Sequence, residues 1–248
     1  ILVYVDDLIM MGKGSDVKNI KKLLHEQFLL KETGDLNEDG HQVRFLGRNL
    51  QRRGNGIYMF EDKSYFEEIL KEHDMERCKE ANTPSPMTVL PSTDSEEVVG
   101  SERHSLYRRT VGKLQWQVPV RPDIAYSVKE LARRLNSPTE QDFRQLKHLL
   151  RYSEGALHYK ILLQPKLTLD PSTRHEFHVT SMTDANWAGC VDTRKSTSGA
   201  LLSILGTPIH FISKTQSVRA LSSAESELYG IGAGLAETLH IRSFLLET

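Results

Sequence analysis

Ile1-Leu2-Val3-Tyr4-Val5-Asp6-Asp7-Leu8-Ile9-Met10-Met11 sets two adjacent carboxylates between two short apolar runs. Strand-forming residues on both sides of an acidic pair predict a hairpin: a strand over Ile1–Val5, a tight turn at Asp6 and Asp7, and a return over Leu8–Met11. A bare Asp-Asp reads as a polar turn, because Asp is common there. The flanking strands and the preceding Tyr4-Val5 favour a site instead. Two neighbouring carboxylates suit Mg²⁺, which takes one or two of them and completes its shell with phosphate and water. The chain starts in mid-strand without an initiator Met and stops in a helical pattern at Phe244 to Thr248. Both ends are expected to be cuts in something longer.

Outward from the hairpin, a helix is predicted over about Ser15–Phe28. Ser15 is its N-cap, and Val17, Ile20, Leu24 and Phe28 form its apolar face. Val43–Leu50 and Gly56–Phe60 read as strands joined by the Gly-Asn-Gly turn at 54–56. Residues 62–75 read as helix. Residues 80–101, rich in Pro, Ser, Thr and Glu, read as a linker. Helices follow at Ser105–Val118, Asp123–Leu135 and Thr139–Gly155, the last opened by Pro138-Thr139. Strands are expected near 157–163, 176–183, 198–205 and 208–213, and a closing helix near 222–247. This is an α/β (α+β) pattern.

With 248 residues there is room for one large domain or two small ones. The 38% hydrophobic and 26% charged composition is that of a soluble globular chain. No apolar run is long enough for a membrane helix, and no signal peptide opens the chain. Cys78 and Cys190 lie too far apart in sequence to suggest a disulfide framework or a Cys-rich zinc site. A net charge of −1 does not mark a nucleic-acid binder. Basic residues do cluster, as at Arg44, Arg48, Arg52 and Arg53, or Arg144, Lys147 and Arg151. Solvated helix faces explain these clusters on charge alone, and a basic groove is the alternative.

A second acidic constellation lies in the last third. Thr183-Asp184-Ala185-Asn186-Trp187-Ala188-Gly189 ends a predicted strand, and Leu221-Ser222-Ser223-Ala224-Glu225-Ser226-Glu227-Leu228-Tyr229 opens the final helix. A strand meander between them could bring one carboxylate from a strand beside one from a helix. Ser222 and Glu225 have capping-box spacing, so Glu225 is expected to serve the helix start. Asp192 reads as a turn residue, His148 as packing or surface, and Trp187 as core or as a wall near the site. Gly12-Lys13-Gly14 is too short for a phosphate loop.

Several motifs resemble copia-type retrotransposon Pol polyproteins in order along nearly the whole chain. Tyr4-Val5-Asp6-Asp7 resembles the hairpin of a reverse-transcriptase palm. Phe45-Leu46-Gly47 resembles the segment that cradles the primer end, Tyr65–Met75 the start of the thumb, and Thr83-Pro84 the pair that follows it. Tyr107-Arg108-Arg109-Thr110-Val111-Gly112-Lys113-Leu114 and Arg121-Pro122-Asp123-Ile124-Ala125-Tyr126 resemble the region between polymerase and nuclease. The Asp184 motif, Arg194-Lys195-Ser196-Thr197-Ser198-Gly199 and Ser222-Ser223-Ala224-Glu225-Ser226-Glu227-Leu228-Tyr229 resemble the copia ribonuclease H.

The resemblance implies a partial polymerase palm and thumb over 1–79, a linker over 80–104, a helical connection over 105–155, and a partial ribonuclease H-like fold of three strands and a helix over 156–248. It makes Asp6, Asp7, Asp184 and Glu227 metal-binding catalytic residues for Mg²⁺, or Mn²⁺ in its place. Lys13, Phe45, Leu46, Gly47, Lys195, Lys214 and Arg219 become nucleic-acid contacts. The implied partners are an RNA template, a DNA primer, the RNA–DNA hybrid and the rest of Pol, with no membrane. The implied locations are a cytoplasmic virus-like particle and the nucleus. Each carboxylate cluster of this family has further members outside 1–248, so the chain alone is expected to be inactive. The alternative is a non-catalytic nucleic-acid-binding remnant or domesticated module.

Overall fold

The computed structural model describes residues 1–86, 97–165 and 178–247. It is a mixed α and β fold with three antiparallel sheets. Strands β1 (Leu2–Tyr4) and β2 (Asp7–Ile9) form a hairpin as expected, but its turn is Val5-Asp6, one residue earlier than read, so Asp7 lies in β2 opposite Tyr4. Helix α1 (Gly14–Gln27) follows, and none of its residues is buried. Its N-cap is Lys13, with no side-chain cap, so Ser15 lies inside the helix and does not cap it.

The segment read as one strand, Val43–Leu50, is two. β3 (Gln42–Phe45) and β4 (Arg48–Arg53) turn back on each other at Leu46-Gly47. Both turn residues have positive φ, 49° and 73°, the pattern of a type I′ turn. Leu gives no turn signal, which is why alternation alone runs straight through it. β5 (Gly56–Phe60) pairs with β4 around the Gly-Asn-Gly turn. The fourth strand of this sheet, β6 (Ile161–Leu163), comes from far along the chain and pairs with β5.

Helices form the core. α2 (Lys63–Glu72) is capped by Asp62, which accepts from the Ser64 amide. α3 (Ser101–Gln117) begins inside the stretch read as linker, whose residues 87–96 lie outside the described ones. The expected helix at Asp123 is a 3-10 turn (Pro122–Ile124) leading into α4 (Ala125–Ala132). α5 (Glu140–Gly155) starts with a full capping box between Thr139 and Asp142, as Pro138-Thr139 suggested. Ile69, Leu70, Tyr107, Val111, Leu114, Ile124, Leu146 and Leu150 interlock among these helices in one cluster of buried residues. The buried Tyr107 hydroxyl donates to the Leu131 carbonyl, so its polar end is satisfied.

The last unit is a meander, β7 (Val179–Asn186), β8 (Thr197–Ile204) and β9 (Thr207–Thr215), followed by α6 (Ser223–Glu247). The part of the predicted strand at 176–177 lies outside the described residues. Among the described residues no helix is long and apolar enough to cross a membrane.

Candidate active site

The β1–β2 turn consists of Val5 and Asp6. Val5 has φ 51°, and Asp6 is not among the positive-φ residues. That is a type II′ pattern, in which the first position ordinarily holds Gly. A β-branched residue there is a genuine conformational outlier, costing on the order of 1–3 kcal/mol. Asp6 and Asp7 are both exposed, and neither carboxylate has a hydrogen-bond or ion-pair partner among the described residues. A strained turn therefore presents two uncompensated neighbouring carboxylates to solvent. Lys13 is exposed just beyond β2.

The Phe45-Leu46-Gly47 turn is locked onto the helical core. A Cβ on Gly47 would lie 3.0 Å from Trp116, so this glycine is required by contact as well as by φ. The Arg48 guanidinium lies 4.1 Å from the centroid of the Trp116 ring and donates to the Trp116 carbonyl. The Glu61 side chain, only 3% exposed, accepts from Arg48 and from Trp116 Nε1, each at 3.4 Å. Burial holds the Arg48 guanidinium below its usual pKa, with Glu61 opposing that shift. Sequence reasoning singled out neither Trp116 nor Glu61. One of two tryptophans, placed in a charged helix, was the available signal.

In the meander, Gly230 and Gly234 let α6 approach β7. Their added Cβ atoms would lie 3.5 Å from the Asp184 carbonyl and 2.5 Å from Thr183. Ser181, Thr183 and Ala185 thus face α6, and strand alternation turns Met182, Asp184 and Asn186 to the other face. Glu227 lies one turn before Gly230, beside the buried Ser226. The structure therefore brings the strand of Asp184 and the helix of Glu227 together. Glu225 does serve the helix start. Its amide donates to Ser222 Oγ and its carboxylate accepts from the Leu221 amide. Trp187 Nε1 donates to the Ala220 carbonyl at 3.1 Å, tying the end of β7 to the entry of α6. Asp192 accepts from Arg134, and His148 meets the Thr83 carbonyl.

Of the remaining predicted contacts, Lys214 and Arg219 are exposed, and Lys195 is half-buried. The Arg194-to-Gly199 motif supplies structure: the buried Ser196 Oγ accepts from the Ala188 amide. Among the described residues, no three His, Cys, Asp or Glu side chains converge as a metal site. Asp6 and Asp7 match the hard-oxygen chemistry of Mg²⁺. Asp184 is exposed near the end of β7 and Glu227 is half-buried in the first turns of α6.

The relatives of this chain include retrovirus-related Pol polyproteins of mobile elements. The chain belongs to the copia-type retrotransposon Pol family. It is 30% identical to an uncharacterized mitochondrial protein of Arabidopsis thaliana, AtMg00810, over 96% of this chain and 92% of that one. It is 32% identical to the retrovirus-related Pol polyprotein from transposon RE1 of the same plant, over 99% of this chain and 16% of the polyprotein. The corresponding protein from transposon TNT 1-94 of Nicotiana tabacum is 29% identical over 100% of this chain, which spans 18% of it. The chain thus corresponds to less than a fifth of the polyproteins it matches. No family model and no solved structure matches it.

Proposed function

We propose that the chain is the reverse-transcriptase and ribonuclease H junction of a copia-type Pol polyprotein, acting on an RNA template, a DNA primer and their hybrid. The observation that carries this reading is the strained Val5 turn with its exposed, unpartnered Asp6 and Asp7. Asp6 and Asp7 would hold Mg²⁺ or Mn²⁺, which neutralises charge on the reacting phosphates. The Leu46-Gly47 turn, fixed by Trp116, Arg48 and Glu61, offers a rigid rest for the primer strand. Lys13, Lys195, Lys214 and Arg219 supply phosphate contacts. Asp184 and Glu227 are assigned to the nuclease, on the strand and helix that Gly230 and Gly234 bring into contact. The setting is the Pol polyprotein in a cytoplasmic virus-like particle or in the nucleus.

The test joins the chain to the polymerase segment that precedes the matched stretch in the tobacco polyprotein. Mg²⁺-dependent primer extension is expected from this fusion, falling at least about a hundredfold in Asp6→Asn. Extension that survives Asp6→Asn together with Asp7→Asn refutes the assignment.

A second reading has an observation of its own. The matched stretch makes up 92% of AtMg00810, a protein with little else in it. On that reading the chain stands alone and holds nucleic acid without catalysis. Hybrid binding would then persist while the fusion stays inactive.

A further inference from the structure

The Arg121-Pro122-Asp123 motif builds a cleft that the reading above does not use. Arg121 is 3% exposed, and its guanidinium meets the Asp123 carboxylate at 2.8 Å. The same guanidinium lies 5.2 Å from the Phe66 ring centroid and 5.4 Å from that of Tyr159. Tyr152 donates its hydroxyl to Asp123 at 2.8 Å. The charge of Arg121 is therefore spent inside the fold, and its role is to hold the Tyr159 ring in place.

Above this floor lies an open cleft of about 720 Å³, walled by Gln51, Arg53, Tyr58, Tyr159 and Lys160. Tyr159 is 48% exposed. The Lys160 ammonium lies 3.8 Å from the Phe60 ring centroid and touches Gln51 Oε1 at 3.4 Å. It has no carboxylate partner among the described residues. Arg53 is exposed, with Asp39 3.5 Å away. The cleft thus combines two cations at its rim with the Tyr159 ring, which packs edge-on with His158 at 4.8 Å, over an Asp123 carboxylate already paired to Arg121. It sits at the Arg53 end of β4, roughly 17 Å along the strand from the Leu46-Gly47 turn.

We propose that this cleft binds single-stranded nucleic acid, one base stacking on Tyr159 and the adjoining phosphates meeting Lys160 and Arg53. An exposed aromatic face beside cations is the combination that single strands use. A duplex keeps its bases paired and cannot offer one to Tyr159. The proposal rests on the nucleic-acid reading of the chain but on none of its acidic residues.

Fluorescence anisotropy with a labelled oligothymidylate tests it on the full chain. Tyr159→Ala is expected to weaken binding roughly tenfold and Tyr159→Phe to leave it near wild type. Lys160→Ala is expected to weaken binding and to reduce the salt slope by about one. Thermal melting by circular dichroism checks that the variants fold, and Lys160→Glu provides a surface change should Tyr159→Ala melt early. Binding unchanged by both Tyr159→Ala and Lys160→Glu overturns the proposal. So does an equal loss with blunt duplex, or full competition by polyglutamate at matched charge. Primer extension by the fusion reads the polymerase assignment and oligothymidylate affinity reads the cleft, so a failed cleft and a failed polymerase assignment give different results.

Discussion

The two ends of the first hundred and fifty residues are built in opposite ways. From Ile1 to Arg48 no residue is buried. Across α2 to α5, Ile69, Tyr107, Val111, Leu114, Ile124 and Leu146 are all at 0% exposure. The hairpin that carries Asp6 and Asp7 therefore contributes no core, and the proposed chemistry lies on it. The helical block contributes the core and, through Trp116, fixes the neighbouring Leu46-Gly47 turn. Stability and candidate catalysis are separable by mutation in this chain.

The largest expected effect is in the block. Leu146→Ala should cost about 2–5 kcal/mol in urea unfolding, while Leu23→Ala on α1 should stay within about 0.5 kcal/mol. Equal losses would erase the contrast. Next come two turn glycines. Gly47 (φ 73°) lies against Trp116, whereas Gly54 (φ 54°) has nothing within 4 Å of an added Cβ. Both Ala variants carry about 1 kcal/mol of backbone cost, and Gly47→Ala should lose more because Trp116 must move. Comparable melting temperatures for the pair would show that the Trp116 contact is not a lock. Thr139→Ala, removing the α5 cap, should cost about 1 kcal/mol.

The smallest effect is a pH slope. Burial, the largest cause, holds the His73 imidazole below its usual pKa, and its Nε2 meets the buried Thr110 hydroxyl at 2.8 Å. The unfolded chain takes up this proton first. The contribution of His73 is therefore complete above about pH 6.5 and declines as pH falls toward the lower folded value. Urea midpoints measured downward from pH 7 should show that decline, and His73→Asn should flatten it.

How much was legible in the sequence depended on the range of the interaction. The Asp6-Asp7 hairpin, the Thr139 cap and the Glu225 cap are local, and their signals lie within a few residues. The Leu46-Gly47 turn is local too, but Leu46 at positive φ gives no sign of itself. The pairing of β5 with β6 spans about a hundred residues and leaves no periodic trace. The Asp184 motif marked a strand correctly, yet which face α6 covers is set by Gly230 and Gly234, far along the chain. The helical core was visible as apolar spacing, whereas the Trp116, Arg48 and Glu61 cluster joins residues that no local pattern connects.

We propose the strained hairpin, rather than the meander, as the divalent-cation site. Mn²⁺ titrated into the isotope-labelled chain, followed by amide line broadening, tests it directly. Broadening is expected to begin at Val5 to Leu8 and to be lost in Asp6→Asn with Asp7→Asn. Broadening that begins around Asp184 and Glu227, with the hairpin amides unaffected, would contradict it.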